Sequence, residues 1–126
     1  MRARWLILVL ALALACPSGF ARPESLPHPN YWIFSWVMKD GNYRFILVRD
    51  KERYAFLAAF EPSFPGHGNV EQLQAQLLRV PRTALVGWGE ATCYGVVYPP
   101  KDIMRPVLMF AKEHGINVQV LPSQCE

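Results

Sequence analysis

The sequence has few charged residues, few cysteines and no repetitive segments. Only 18% of its 126 residues are charged, whereas 52% are hydrophobic. A disordered chain needs the opposite balance, so this chain is predicted to fold. There is no internal repeat, no low-complexity tract and no CxxC pair. At this length, one folded domain is expected.

No hydrophobic run in the sequence is long enough to cross a membrane. The longest covers residues 5–15 and breaks at Cys16-Pro17, whereas a spanning helix needs roughly 20 apolar residues. Basic residues lie within positions 1–4, and Gly19 and Ala21 form a small-x-small cleavage pattern. Together these features predict a signal peptide over residues 1–21 and export to the periplasm or the outside of the cell.

Two other ways of processing the N-terminus remain open. Residues 13–15 form a second small-x-small pattern, which would place cleavage before Cys16. The segment that ends at Cys16 also loosely resembles a bacterial lipobox, in which this cysteine would be lipidated. The membrane is therefore expected to contact the protein only through the signal or through a lipidated Cys16.

The positive charge of the chain lies largely in the predicted signal. Removing Arg2 and Arg4 leaves 11 basic against 10 acidic residues, so the formal net charge falls from +3 to +1. A nucleic-acid-binding protein needs a basic surplus to neutralise phosphates. No nucleic-acid partner is expected.

Of the three cysteines, two lie outside the signal. Cys93 and Cys125 in an exported chain indicate one disulfide. The alternatives are a catalytic thiol or half of a metal site. No second Cys/His pair has the spacing of metal ligands, and no metal or cofactor is expected.

The hydrophobic pattern predicts an α+β domain over residues 31–126, preceded by a linker over residues 22–30 that contains three prolines. Strands are predicted at residues 31–38, 43–48, 53–60, 84–88 and 116–120, and helices at residues 70–80 and 103–114. Asn69, with Gln72 in a capping box, and Asp102 are the predicted N-caps of the two helices, and Gly115 is expected to end the second. The order is β-β-β-α-β-α-β, a small mixed sheet with an N-terminal antiparallel meander, a C-terminal βαβ unit and helices packed on it. Residues 93–98 are predicted to form either a short strand or an ordered loop.

The first strand carries an aromatic ladder of Trp32, Phe34 and Trp36 on one face, and its other face is not polar either. This pattern favours a central strand that is covered on both faces. An exposed ladder would instead bind sugars or a partner.

His67 lies between two glycines, directly before the predicted N-cap Asn69 of a helix. The helix dipole would favour its neutral form, which can accept a proton or bind a metal. The alternative is a flexible loop that leads into a capped helix, since no phosphate-loop pattern is present.

The second candidate site is the segment 87–95, at the carboxyl end of a predicted parallel strand. Trp88, Glu90 and Tyr94 could line a small pocket there, because clefts form at that end of open sheets. The alternative is a loop whose glycines allow the backbone to turn and whose Cys93 is linked to the C-terminal segment.

None of these motifs identifies a catalytic residue. The chain is therefore interpreted as a non-enzymatic protein-binding or inhibitor-type module whose partner is another envelope or extracellular protein. The alternative is a small hydrolase or metal-dependent enzyme that uses the 88–95 and His67 loops. Placement of His67 and Glu90 within about 8 Å would favour that alternative, since such a pair could share a metal or a water.

Overall fold

The computed structural model describes residues 28–123 and Cys125, and within them a four-stranded mixed sheet is flanked by three α-helices. The strands are β1 (Tyr31–Val37), β2 (Tyr43–Arg49), β3 (Leu85–Glu90) and β4 (Asn117–Ser123). The helices are α1 (Arg53–Ala58), α2 (Val70–Leu77) and α3 (Lys101–Glu113). The α+β class is confirmed. The predicted signal peptide, Cys16 and residues 22–27 of the predicted linker lie outside the described residues.

The strands lie in the order β2-β1-β3-β4. β1 and β2 form an antiparallel hairpin, and its turn contains Gly41 at a φ of 84°. β1 is parallel to β3, and β3 is parallel to β4. Since α3 connects β3 to β4, the predicted C-terminal βαβ unit is confirmed.

The third strand of the predicted meander is a helix. Residues 53–60 form α1 and the turn after it, so the antiparallel part of the sheet has two strands. Three alanines raise the helix propensity of this segment. Its buried Phe56 and Leu57 and its half-buried Phe60 share one helical face, whereas a strand would place Phe56 and Leu57 on opposite faces.

The outer edge of β2 is partly covered by the loop that follows α1. Gly68 and Phe45 exchange two backbone hydrogen bonds, with N···O distances of 2.8 and 2.9 Å. The position that a third meander strand would take is therefore occupied by a single residue.

The N-terminus of α2 is capped as predicted. The Asn69 side chain accepts a hydrogen bond from the Gln72 backbone N–H at 2.9 Å, and the Gln72 side chain accepts one from the Asn69 N–H at 2.8 Å. This reciprocal capping box fixes the direction in which the chain leaves the 66–68 loop.

Helix α3 begins earlier than the sequence indicates. Pro100, and not Asp102, is the N-cap residue, and Asp102 lies in the first turn, where its charge complements the helix dipole. The predicted end is confirmed. Gly115 has a φ of 69°, and the Ile116 N–H donates to the Ala111 carbonyl at 2.8 Å, as in a Schellman motif.

Apolar side chains cover both faces of the sheet. Between the sheet and helices α2 and α3, the buried residues are Ile33, Phe45, Leu73, Leu77, Val80, Ala84, Val86, Trp88, Val107, Ala111 and Ile116. On the face covered by α1, they are Trp32, Phe34, Trp36, Ile46, Phe56, Leu57, Ala91 and Val96. The prediction that β1 is central and covered on both faces, with its aromatic ladder in the core, is confirmed.

Two glycines in β3 allow large side chains to pack directly against the backbone of that strand. A Cβ atom on Gly89 would lie 2.8 Å from the Trp32 ring, and one on Gly87 would lie 2.7 Å from side-chain atoms of Leu121 and Pro29. These glycines therefore belong to a strand and permit close packing, and they are not part of a flexible pocket rim.

The described chain begins against the end of β2. Pro29 is buried, and His28 Nε2 lies 2.8 Å from Asp50 Oδ2. The Trp32 indole N–H donates to Asp50 Oδ1 at 2.8 Å. Partial burial raises the pKa of the Asp50 carboxyl, but the hydrogen bonds with Trp32 and His28 and the nearby positive charges outweigh it, so the pKa is lowered.

We expect Asp50→Asn to lower the free energy of unfolding at pH 7 by about 1 kcal/mol, because a charge-assisted hydrogen bond to Trp32 is weakened. The folded-state pKa lies below the unfolded value, so this stabilisation is present above about pH 4 and is lost as the pH falls through the folded-state pKa. Urea unfolding from pH 7 to pH 3 measures it. A difference between the two proteins that is undiminished at pH 3 would contradict the assignment.

Candidate binding surface

Trp88 belongs to the core and is not available to a surface ligand. It is fully buried, and its ring meets the Phe45 ring edge-to-face at 6.1 Å between centroids. Its indole N–H points to Ser35 Oγ at 3.4 Å, and the Ser35 hydroxyl donates to the Val97 carbonyl at 2.7 Å. Trp88 thereby anchors the strand from which the following turn projects.

Glu90 is half-buried at the end of β3. Its Oε2 accepts a hydrogen bond from the Tyr98 backbone N–H at 3.4 Å. Burial, and after it the charge of Glu90, raises the pKa of the Tyr98 hydroxyl, which has no hydrogen-bond partner among the described residues. Glu90 thus fixes the chain at Tyr98, just after the turn that follows β3.

Residues 92–95 form a short exposed turn, which we call the 92–95 turn. Ala91 and Val96 close its base with two backbone hydrogen bonds of 2.8 and 3.1 Å. Thr92–Tyr94 is one 3₁₀ turn, and Gly95 reverses the chain at a φ of 87°. All four residues of the turn are exposed, and Tyr94 retains 48% of its accessible surface.

The predicted disulfide between Cys93 and Cys125 is confirmed. The two Cα atoms are 5.9 Å apart, and the bridge joins positions separated by 32 residues. The Cys93 backbone N–H also donates to Cys125 Sγ at 2.9 Å. The 92–95 turn is therefore attached both to the end of β3 and to the segment after β4.

His67 does not meet the 92–95 turn. Its ring lies edge-on against Trp36, with centroids 5.6 Å apart, on the face of the sheet that α1 covers. Glu90 shares a face with Trp88, on the opposite side, because side chains of a strand alternate. The His67 loop pairs with the outer edge of β2, so β1 and β2 lie between that loop and Glu90 on β3, and the described contacts of His67 and Glu90 have no residue in common.

Two of the cavities in the described part of the chain are lined by residues of β2. One of about 560 Å³ lies between β2 and the N-terminus of α2 and is lined by His67, Arg44 and Gln72, among others. Another of about 560 Å³ lies between β2 and α1. Locating the second cavity required the position of α1, whose residues the sequence pattern predicts as a strand, whereas the first lies beside the His67 loop that the sequence pattern singles out.

Within residues 28–123 and Cys125, no group of three or more His, Cys, Asp or Glu side chains is placed to hold a metal ion. In the same part of the chain, no helix has the length and apolar character that a bilayer crossing requires. No family model, no curated protein and no solved structure matches this chain.

Proposed function

We propose that the chain is exported and that its disulfide-stabilised domain acts in the cell envelope or outside the cell as a protein-binding module. The observation that carries this proposal is Tyr94, a half-exposed aromatic side chain on the 92–95 turn. The partner is another envelope or extracellular protein.

Two features support export. Residues 1–21 combine basic, apolar and small residues in the order of a secretory signal. The Cys93–Cys125 bridge is typical of proteins that mature in an oxidising compartment.

The construction of the 92–95 turn supports binding. Tyrosine is enriched among the residues that dominate protein–protein affinity. A rigid presenting segment loses little conformational entropy on association, and here the disulfide and the Ala91–Val96 bonds provide that rigidity. Trp88 and Glu90 contribute by fixing the base of the turn and not by touching a partner.

We expect Tyr94→Ala to reduce partner affinity by at least about tenfold, which corresponds to the roughly 1.4 kcal/mol or more typical of an interface anchor. Tagged protein is first used to capture the partner from an envelope extract. The partner is then purified and titrated against wild type and variant.

Tyr54→Ala provides the matched control. Tyr54 is a more exposed tyrosine, at 74%, on α1, and its removal should leave partner affinity unchanged. Equal affinities for the Tyr94→Ala variant and wild type would remove the turn from the interface. A partner lost only with Tyr54→Ala would place the interface on α1.

A further inference from the structure

Strand β4 is an edge strand that carries no charge and whose proline, Pro122, lies near its C-terminal end. It pairs with β3, and no other described strand lies beyond it. Its sequence, NVQVLPS, contains no charged residue, although exposed edges commonly carry charges that prevent pairing with another chain. Val120 is 47% exposed.

The other edge of the same sheet differs in both respects. On β2, the backbone of Phe45 is already paired with Gly68, and the strand carries Arg44 and Arg49. Among the described residues, β4 therefore has neither the charged side chains nor the covering backbone pair that protect β2.

The pairing of β3 determines which backbone groups of β4 point away from the sheet. The Leu85 carbonyl accepts from the Asn30 N–H at 2.8 Å, and the Leu85 N–H donates to Asn30 Oδ1 at 2.9 Å. Leu85 thus points its backbone towards β1, and the next residue, Val86, points towards β4. Val86 is opposite Val118, and in a parallel pair a residue bonds to the two neighbours of its opposite.

Asn117 and Gln119 therefore bond to β3, and the backbone groups of Val118 and Val120 point away from the sheet. These two residues present two N–H donors and two carbonyl acceptors, placed symmetrically about Gln119. The pattern is self-complementary, because an antiparallel copy of the same strand offers the same groups in reverse order.

We propose that β4 pairs with β4 of a second copy of this chain, antiparallel and about a two-fold axis at Gln119. Val118 of each copy then lies opposite Val120 of the other, and the two pairs exchange four backbone hydrogen bonds. The exposed Val120 is covered, and because the strand is uncharged, no like charges face each other across the axis. Pro122 has no N–H and ends the ladder.

The interface is small, so a weak and reversible dimer is expected. Pairing through β4 involves only copies of this chain and does not depend on Tyr94 or on an external partner. Failure of one proposal is therefore distinguishable from failure of the other.

The test is sedimentation velocity over a concentration series extending to high micromolar, using protein purified after expression of the full chain. Wild type should approach twice the monomer mass. Gln119→Lys and Gln119→Glu each place like charges opposite each other at the axis, and each should weaken dimerisation by roughly tenfold. An equimolar mixture of these two variants should restore the dimer, because opposite charges then face each other.

Ala75→Lys is the matched control, since it adds the same charge at an exposed position of α2 and should dimerise like wild type. Melting temperatures confirm that all variants are folded. Wild type that remains monomeric, charge variants that dimerise like wild type, or a mixture that stays monomeric would each overturn the proposal. Monomeric wild type whose capture of a different protein is lost with Gln119→Lys would assign the edge to a foreign strand.

Discussion

Replacing Trp36 with alanine should lower the free energy of unfolding by about 3–5 kcal/mol, as expected for truncation of a large buried aromatic. Trp36 is 1% exposed. Its ring meets the Phe60 ring edge-to-face at 4.9 Å between centroids, and its indole N–H donates to the Pro62 carbonyl at 3.1 Å. The substitution therefore removes apolar packing and leaves a cavity beneath α1.

Urea unfolding measures the effect, and Val37→Ala provides the control. Val37 is the next residue of β1 and is 47% exposed, so its truncation should cost less than about 1 kcal/mol. If Trp36→Ala unfolds like wild type, the aromatic ladder is exposed, and the binding surface belongs on the sheet instead of the 92–95 turn.

The second large effect is expected from removal of the disulfide. The double variant Cys93→Ser/Cys125→Ser should be less stable than the oxidised wild type by about 3–4 kcal/mol, because the bridge closes a loop of roughly 30 residues and restricts the unfolded chain. For a domain of this size, that is a large share of the total stability.

Unfolding of both proteins with and without a reducing agent isolates the contribution of the bridge. Reduction should shift the wild type towards the double variant and leave the double variant unchanged. Two titratable thiols in freshly isolated, unreduced wild type, or no response of its stability to reduction, would contradict a structural disulfide.

The elements that the sequence predicted well have strong local signals. The Asn69–Gln72 capping box and the glycine after α3 depend on residues within one or two turns of each other. The lack of a polar face on β1 indicated a strand covered on both sides. The Cys93–Cys125 pairing followed from there being no other cysteine outside the predicted signal.

The segment 53–60 was assigned wrongly because its aromatic residues suit a strand as well as a helix. Whether this segment forms a strand or a helix depends on the tertiary fold. As α1 it covers the ladder face of the sheet, where Phe56 stacks on Phe34 at 5.4 Å between ring centroids. A short apolar run gives no local signal for that choice.

Most of the candidate binding surface could not be predicted from the sequence, because it depends on the order of the strands in the sheet. Alternation along β3 places Trp88 and Glu90 on one face, but only the order β2-β1-β3-β4 shows that this face is covered and that two strands separate the His67 loop from Glu90. Tyr94 could be singled out from the sequence, but its rigid presentation comes from the Ala91–Val96 bonds. The outward-pointing backbone groups of Val118 and Val120 likewise become apparent only once the strand order is known.

Intact-mass measurement of the protein, recovered after expression of the full chain in a secretion-competent host, tests the proposed export most directly. The expected mass is that of Arg22–Glu126 less two hydrogens, which corresponds to cleavage after Ala21 and an oxidised Cys93–Cys125 pair. A mass carrying acyl chains on Cys16 would instead establish the lipoprotein. Protein that stays inside the cell, retains residues 1–21 and has both thiols free would contradict export.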